Sequence, residues 1–171
     1  MASIAILITD MFEDSEYIEP ANAFKQAGHK ITHVGLKAGE TVRGKKEGTE
    51  VKIDISAGDC SVDSYDALFI PGGYSPDKLR VDEDAVELTR QFMAADKMVF
   101  SICHGPQLLI TAKTLRGRIL TGWKSIRQDI VNAGADFIDS EVVVDNNLVT
   151  SRNPGDLPSF IETCLQKLSP V

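Results

Sequence analysis

Short apolar runs alternate with stretches of helical periodicity along most of the chain. The strongest runs are mostly apolar, and the first is rich in β-branched side chains, a composition typical of strands buried on both faces of a parallel sheet. These runs lie at residues 3–9, 66–70 and 98–102. Weaker alternation predicts strands at residues 30–36 and 51–55, and a hairpin of residues 142–144 and 148–150 around Asp145-Asn146-Asn147.

Apolar residues at helical spacing predict the helices between these strands. The predicted helices cover residues 16–27, 82–95, 106–112, 125–133 and 156 to about 168. Because proline is tolerated only near a first turn, we expect the first helix to begin close to Pro20. Residues 37–50 are rich in glycine and lysine and are expected to form an irregular surface loop or a short hairpin. Strands alternating with helices predict an α/β fold, a doubly wound and mainly parallel sheet in one domain of residues 1–171.

Composition narrows the class of protein. The chain has 171 residues, of which 25 are acidic and 18 basic, so its formal net charge is −7. This balance argues against nucleic acid as a partner, because phosphate binding needs a clustered cationic face. No run approaches the roughly 20 apolar residues of a membrane span, and the N-terminus lacks the basic start of a secretory signal. We therefore expect a cytoplasmic protein without a membrane partner.

The cysteine count adds a second constraint. Cys60, Cys103 and Cys164 are odd in number and show no Cys-x-x-Cys spacing. That pattern fits a reducing compartment and argues against both a disulfide framework and a structural zinc site. The sequence also has no glycine-rich phosphate loop and no cluster of metal ligands, so neither a cofactor nor a metal is predicted.

Cys103 is the strongest candidate for chemistry, because ligands of such sheets bind beyond the carboxyl ends of the strands. Cys103 directly follows the apolar run 98–102, in a small-x-nucleophile-x-small pattern typical of a tight turn that exposes a nucleophile. The start of the following helix is expected to favour its thiolate, and His104 is a candidate acid or base or a stabilising imidazolium. The alternatives are a buried small side chain and a structural histidine.

Two other strand ends carry polar or flexible residues. Glu13 and Glu16 follow the first strand, and from spacing alone these carboxylates most simply interact with the helix dipole. The functional alternative is that one of them hydrogen-bonds the Cys103 sulfur, as a protonated acid whose pKa is raised. Gly72 and Gly73 end the strand 66–70 and can present N–H groups to an oxyanion, although an ordinary turn is the alternative.

Taken together, these segments and several others resemble the DJ-1/PfpI family of the class I glutamine amidotransferase-like superfamily. The resemblance is strongest to the branch called intracellular protease I or general stress protein 18. The resemblance extends over nearly the whole chain. It is specific because many matching motifs follow one another in the same order. These motifs are residues 12–16, 39–48, 66–68, 71–73, 75–77, 102–107, 132–135, 141–145, 150–152 and 156–157.

The resemblance implies a flavodoxin-like sandwich that associates into homodimers or larger homo-oligomers. It implies that Cys103 is the nucleophile and that His104 accompanies it. Glu16 is then the protonated partner of the cysteine, with Glu13 close by. By the same resemblance, the backbone N–H groups of Gly73 and His104 form the oxyanion hole.

The resemblance also implies a role for Asp77 and a set of activities. From spacing alone, Asp77 is most simply a helix-cap residue. In the protease-type branch, however, an acidic residue at this position reaches the histidine of a neighbouring subunit, and the best-known archaeal members carry the longer glutamate there. The family has been assigned peptidase, glyoxalase, deglycase and redox-sensing chaperone activities.

Physical reasoning orders these activities. Cleaving an amide requires a well-placed acid for a poor leaving group, whereas adding a thiolate to an aldehyde requires much less. We therefore expect a stress-protective, cysteine-dependent enzyme that acts on small reactive carbonyls, as a glutathione-independent glyoxalase or deglycase does. The alternatives are an intracellular cysteine peptidase acting on peptides and a non-catalytic redox sensor or chaperone.

Overall fold

Eleven strands and six α-helices lie within residues 1–169, the part of the chain that this computed structural model describes. The strands are β1 (Ser3–Leu7), β2 (Lys30–Gly35), β3 (Thr41–Arg43), β4 (Glu50–Lys52), β5 (Ile55–Ser56), β6 (Ala67–Ile70), β7 (Met98–Ile102), β8 (Ile119–Leu120), β9 (Asp136–Phe137), β10 (Val143–Asp145) and β11 (Leu148–Ser151). The helices are α1 (Asp14–Gln26), α2 (Ser75–Leu79), α3 (Glu83–Ala94), α4 (Pro106–Thr111), α5 (Arg127–Asn132) and α6 (Leu157–Leu168). The predicted domain of residues 1–171 also included residues 170 and 171, which lie outside the described part.

Seven strands form the central sheet in the order β10-β11-β7-β6-β1-β2-β5. All neighbours are parallel except β10 and β11, which form the predicted antiparallel hairpin. The chain builds outward from β1 through β2 to β5 and then returns to β6 on the other side of β1. This reversal of strand order opens a crevice at the carboxyl ends of β1 and β6, where ligands of such sheets bind.

Apolar layers cover both faces of the sheet. On one face Ile6 of β1 belongs to a buried cluster with Phe24 of α1 and Phe160 of α6. On the other face Leu7 of β1 belongs to a buried cluster with Phe92 of α3. Successive residues of β1 thus enter opposite layers, as expected for a strand covered on both sides. The predicted α/β sandwich with a mainly parallel sheet is confirmed.

The expected start of the first helix is wrong. Helix α1 begins at Asp14 rather than close to Pro20, which lies inside the helix. The early start has a tertiary cause, because the buried Asp14 carboxylate accepts hydrogen bonds from the backbone N–H groups of Lys46 and Thr49. These bonds fix the first turn through a distant segment, which the local sequence pattern does not reveal.

Several short elements also differ from the prediction. Residues 37–50 contribute β3 to a hairpin with β4, and the strand predicted at residues 51–55 is divided between β4 and β5. Helix α2 and strands β8 and β9 were not predicted, because two to five residues are too few to show a period. No helix among residues 1–169 is both long and apolar enough to cross a membrane.

Candidate active site

Cys103 lies on a strained turn between β7 and α4. Its φ angle is 61°, in the left-handed region that side chains rarely adopt. The backbone N–H of Cys103 donates to the carbonyl of Ser151 (3.0 Å), and the carbonyl of Cys103 accepts from the N–H of Trp123 (2.8 Å). Two neighbouring segments therefore hold the predicted strand-to-helix turn, and the cysteine side chain is largely buried.

A cavity of about 470 Å³ opens above this turn. It brings together residues from all three strand ends that the sequence indicated, together with residues from the β3–β4 hairpin and from later loops. Its lining is Glu13, Glu16, Lys45, Lys46, Gly73, Tyr74, Cys103, His104, Trp123 and Pro154. Five of the seven predicted site residues therefore line one cavity, and only Gly72 and Asp77 are not among its lining residues.

His104 is placed to exchange a proton with the cysteine. Its Nδ1 lies 3.4 Å from the Cys103 Sγ, and its Nε2 lies 3.3 Å from the hydroxyl of Ser125. Burial lowers the pKa of His104, Lys45 acts in the same direction, and Asp77 opposes them. A neutral imidazole protonated on Nε2 donates to Ser125 and leaves Nδ1 free to accept the thiol proton. Ser125 was not singled out from the sequence, because an exposed serine at a helix start carries no distinctive signal.

Glu16 is a buried acid beside the sulfur. Its Oε1 accepts a hydrogen bond of 3.1 Å from the N–H of Gly72, and its Oε2 has no nitrogen or oxygen partner among residues 1–169. Burial raises the pKa of Glu16 to about 8 and Glu13 adds to the rise, while Gly72 and Cys103 oppose it through hydrogen bonds. The carboxyl is therefore protonated at neutral pH, in agreement with the raised pKa that the sequence predicted.

The surroundings of the cysteine oppose the expected thiolate and favour the neutral thiol. Burial and, secondly, the nearby Glu16 raise the pKa of Cys103 to about 12. The N–H groups of Gly73 and His104 and the charge of Lys45 act in the opposite direction and do not outweigh them. Helix α4 has only six residues, so its dipole cannot offset the desolvation of a buried sulfur.

Gly72 allows the acid and the cysteine to approach each other. A Cβ at this position would collide with the Glu16 carboxyl and would lie 2.8 Å from the Cys103 Cβ. The next residue, Gly73, faces the sulfur with its N–H, as does His104. Two backbone donors thus converge where an oxyanion would form on a carbon bound to Cys103.

Glu13 holds two lysines at the edge of the cavity. Its Oε2 lies 3.1 Å from the Lys45 Nζ and its Oε1 lies 3.1 Å from the Lys46 Nζ. The sequence placed Glu13 near the substrate but assigned both lysines to a surface segment. Contacts between distant segments bring them to the site, among them the bridge between Phe12 and Gly44 and the hydrogen bonds that Asp14 accepts from the backbone of Lys46 and Thr49.

Asp77 does not join the other candidates through a direct contact. It is exposed on α2, and within residues 1–169 its carboxylate makes no hydrogen bond to His104 of the same chain. Its charge nevertheless raises the pKa of His104 from a distance. Whether it meets the histidine of a second subunit stays a prediction.

Comparisons with known proteins show the family of the chain. The sequence profile of the DJ-1/PfpI family matches residues 2–167. The chain belongs to the DJ-1/PfpI family. It is 56% identical to general stress protein 18 of Bacillus subtilis over 158 residues, which is 92% of each chain. It is 53% identical to protein/nucleic acid deglycase 2 of Escherichia coli over 96% of each chain.

A solved structure supports the fold of this DJ-1/PfpI protein. A two-domain protein from Anabaena variabilis, with DJ-1/ThiJ/PfpI-like and ferritin-like domains, superimposes with a TM-score of 0.96 at 40% identity. The match covers 98% of the present chain and 48% of that longer one. The predicted family, its general stress protein 18 branch and the flavodoxin-like fold are therefore confirmed.

Proposed function

We propose that this DJ-1/PfpI protein is a cysteine-dependent enzyme that converts reactive carbonyls such as methylglyoxal into hydroxy acids. The observation that carries the proposal is the arrangement of a neutral thiol, a neutral imidazole and a protonated carboxyl in one cavity. An aldehyde is electrophilic enough to accept sulfur from such a site without a preformed thiolate. The relative named as a deglycase supports carbonyl chemistry.

The first step forms a carbon–sulfur bond. His104 takes the thiol proton while the Cys103 sulfur adds to the aldehyde carbon C1. The N–H groups of Gly73 and His104 stabilise the developing oxyanion. Glu16 then donates its proton to that oxygen, which leaves a hemithioacetal on Cys103, a carboxylate on Glu16 and an imidazolium on His104.

The next steps move a hydrogen between adjacent carbons and release the product. The Glu16 carboxylate removes the proton from C1 while His104 protonates the oxygen on C2, giving an enediol. Glu16 returns its proton to C2 and takes up the proton that leaves the C1 hydroxyl, giving a thioester. Water hydrolyses the thioester, so that methylglyoxal and water together become lactate and a proton, and the free thiol is restored.

Steady-state lactate formation from methylglyoxal tests this proposal. We expect turnover by the untreated protein and its loss after iodoacetamide has alkylated Cys103, as followed by mass spectrometry of the modified peptide. Lactate formation no faster than by the alkylated protein would overturn the proposal for this substrate.

The redox-sensor alternative is less well supported by the site. A peroxide-sensing cysteine needs a low pKa and an exposed sulfur. Burial raises the pKa of Cys103 to about 12, and its side chain is largely buried. These properties oppose rapid oxidation, whereas addition to a bound carbonyl can use His104 as the base.

Replacing Asp77 with asparagine tests the peptidase alternative. The Asp77 charge raises the pKa of His104, so its removal lowers that pKa further. Because His104 must be neutral to act as a base, the acidic limb of the methylglyoxal pH–rate profile should move to lower pH.

If the protein is instead a peptidase whose Asp77 reaches a neighbouring subunit, hydrolysis of a fluorogenic peptide by the oligomeric fraction should be lost in D77N. Light scattering of that fraction also tests the predicted self-association.

A further inference from the structure

We propose that Lys45 and Lys46 form an anion-binding subsite beside Cys103, so that the preferred substrates are carbonyl compounds carrying an anionic group. The inference rests on the proposed function for its reacting group, but its electrostatic part can be measured separately. Neither lysine takes part in the proton transfers described above. Their place in the cavity therefore needs another explanation.

Among the side chains that line the cavity, two ammonium groups face one carboxylate. Lys45 and Lys46 share the single carboxylate of Glu13. Burial alone would lower the pKa of Lys45, but its contact with Glu13 outweighs this effect and raises the pKa, so the ammonium stays charged. Cys103 and Glu16 are neutral under the same conditions. A positive cavity in a chain of net charge −7 is suited to attract an anion.

The segment that carries the lysines is held in a fixed conformation. The Asp14 carboxylate accepts the N–H of Lys46 (2.9 Å) and the N–H of Thr49 (3.1 Å), and Lys45 donates its own N–H to the carbonyl of Phe12 (2.9 Å). Burial alone would raise the pKa of Asp14. The hydrogen bonds that its carboxylate accepts from the backbone outweigh this effect and lower the pKa to about 2. The lysines therefore start from a prearranged backbone, which reduces the entropy lost on binding.

Glycine at position 44 is part of this arrangement. A Cβ on Gly44 would collide with the Asp14 carboxylate, which packs directly against the turn. The turn thus depends on a residue without a side chain immediately before the two lysines. The same local sequence that forms the turn delivers both ammonium groups to Glu13.

The two lysines occupy different depths. Lys45 is the inner one: its side chain is 27% exposed, and its Nζ lies 5.2 Å from the centroid of the Tyr74 ring. Its charge also acts on Cys103 and His104, which places it within electrostatic range of the reacting atoms. Lys46 is 64% exposed and lies at the rim. An anionic group attached near a carbonyl would meet Lys45 first, while Lys46 attracts it from solvent.

A matched pair of substrates tests the subsite. Phenylglyoxal with a para-carboxylate and phenylglyoxal with a para-carboxamide have nearly the same shape and differ by one charge. Both would give the corresponding mandelate by the proposed reaction. We expect the ratio of their kcat/KM values to favour the carboxylate, and we expect this ratio to fall about fivefold to tenfold in K45Q and less in K46Q.

Two variants make the test specific to charge. Lys52→Gln removes an exposed lysine from the same β3–β4 hairpin, outside the cavity, and should leave the ratio unchanged. Glu13→Gln removes the carboxylate that neutralises one lysine and should raise the preference for the anion. A purely structural role for the ion pairs predicts no such increase. High salt should reduce the preference in the wild-type protein.

Alkylation of Cys103 separates this inference from the proposed function. Iodoacetate and iodoacetamide differ by one charge, and the ratio of their rate constants at Cys103 reports the local potential whether or not the protein turns over any carbonyl. A ratio that falls in K45Q and K46Q, but not in K52Q, supports the subsite even if both arylglyoxals prove inert. Equal ratios of the two rate constants in the wild type, K45Q, K46Q and K52Q would overturn the subsite. Lactate formation from methylglyoxal would still support the proposed function in that case.

Discussion

The Cys103→Ser variant is expected to lose at least about 10³-fold in kcat/KM for methylglyoxal, with little change in fold. Serine fits the same strained turn, but its hydroxyl is a much weaker nucleophile than sulfur and is harder for His104 to deprotonate. The neutral thiol makes this dependence severe, because proton removal and attack on the carbonyl have to occur together. Lactate formation and near-ultraviolet circular dichroism measure the two effects.

The other two cysteines provide matched controls for this variant. Cys60 and Cys164 are buried away from the cavity, and Cys164 is fully buried in a cluster with Phe160. Their alanine variants should keep turnover, although loss of the Cys164 sulfur should lower the melting temperature because it leaves a small void. A Cys103→Ser protein that retained most of its turnover would mean that the sulfur is not the nucleophile.

The parts of the site that lie next to a buried strand were predictable from the sequence. Apolar runs locate the strands, and the position of Cys103 directly after residues 98–102 indicates a turn at the ligand-binding edge of the sheet. The same reasoning placed Glu16 and Gly72 there, and the structure brings all three into contact. Neighbouring parallel strands end at the same edge, so strand assignment alone was sufficient to predict this meeting.

The rest of the site depends on contacts between distant segments. Lys45 and Lys46 reach Glu13 through a hairpin whose position is set by Asp14, and no local period encodes that contact. The same contact moves the start of α1 ahead of Pro20. Tertiary hydrogen bonds overrule local propensity in both cases.

The ionisation of Cys103 also required three-dimensional information. The sequence shows that a helix follows the cysteine and therefore predicts a stabilised thiolate. It does not show how deeply the sulfur is buried. Burial, together with the negative charge of the ionised Glu16 carboxylate, raises the pKa and opposes the thiolate. In the resting site the acid Glu16, the base His104 and the thiol of Cys103 are therefore all uncharged.

Replacing Glu16 with glutamine is the second change for which we expect a large effect, a loss of about 10²- to 10⁴-fold in turnover of methylglyoxal. Glutamine keeps the shape of the side chain and can still accept the N–H of Gly72, but it cannot carry a proton between the two carbons. The thiol of Cys103 should at the same time become easier to ionise, because a neutral amide removes the negative charge that raises its pKa. Alkylation by iodoacetamide at alkaline pH should therefore become faster while turnover falls.

The pH dependence of stability gives this variant a second, independent measurement. The pKa of Glu16 is raised from 4.5 to about 8, so the folded protein retains a proton that the unfolded chain releases in this interval. The resulting contribution to the free energy of unfolding is complete below pH 4.5 and is lost as the pH rises towards 8. Urea unfolding across this range should show the decline in the wild type and in Glu19→Gln, an exposed control on the same helix, but a smaller decline in Glu16→Gln.

Opposite changes in thiol reactivity and turnover of Glu16→Gln would be hard to obtain from a merely structural defect, which should impair both. If E16Q retained full turnover, a different group would have to move the proton between the two carbons.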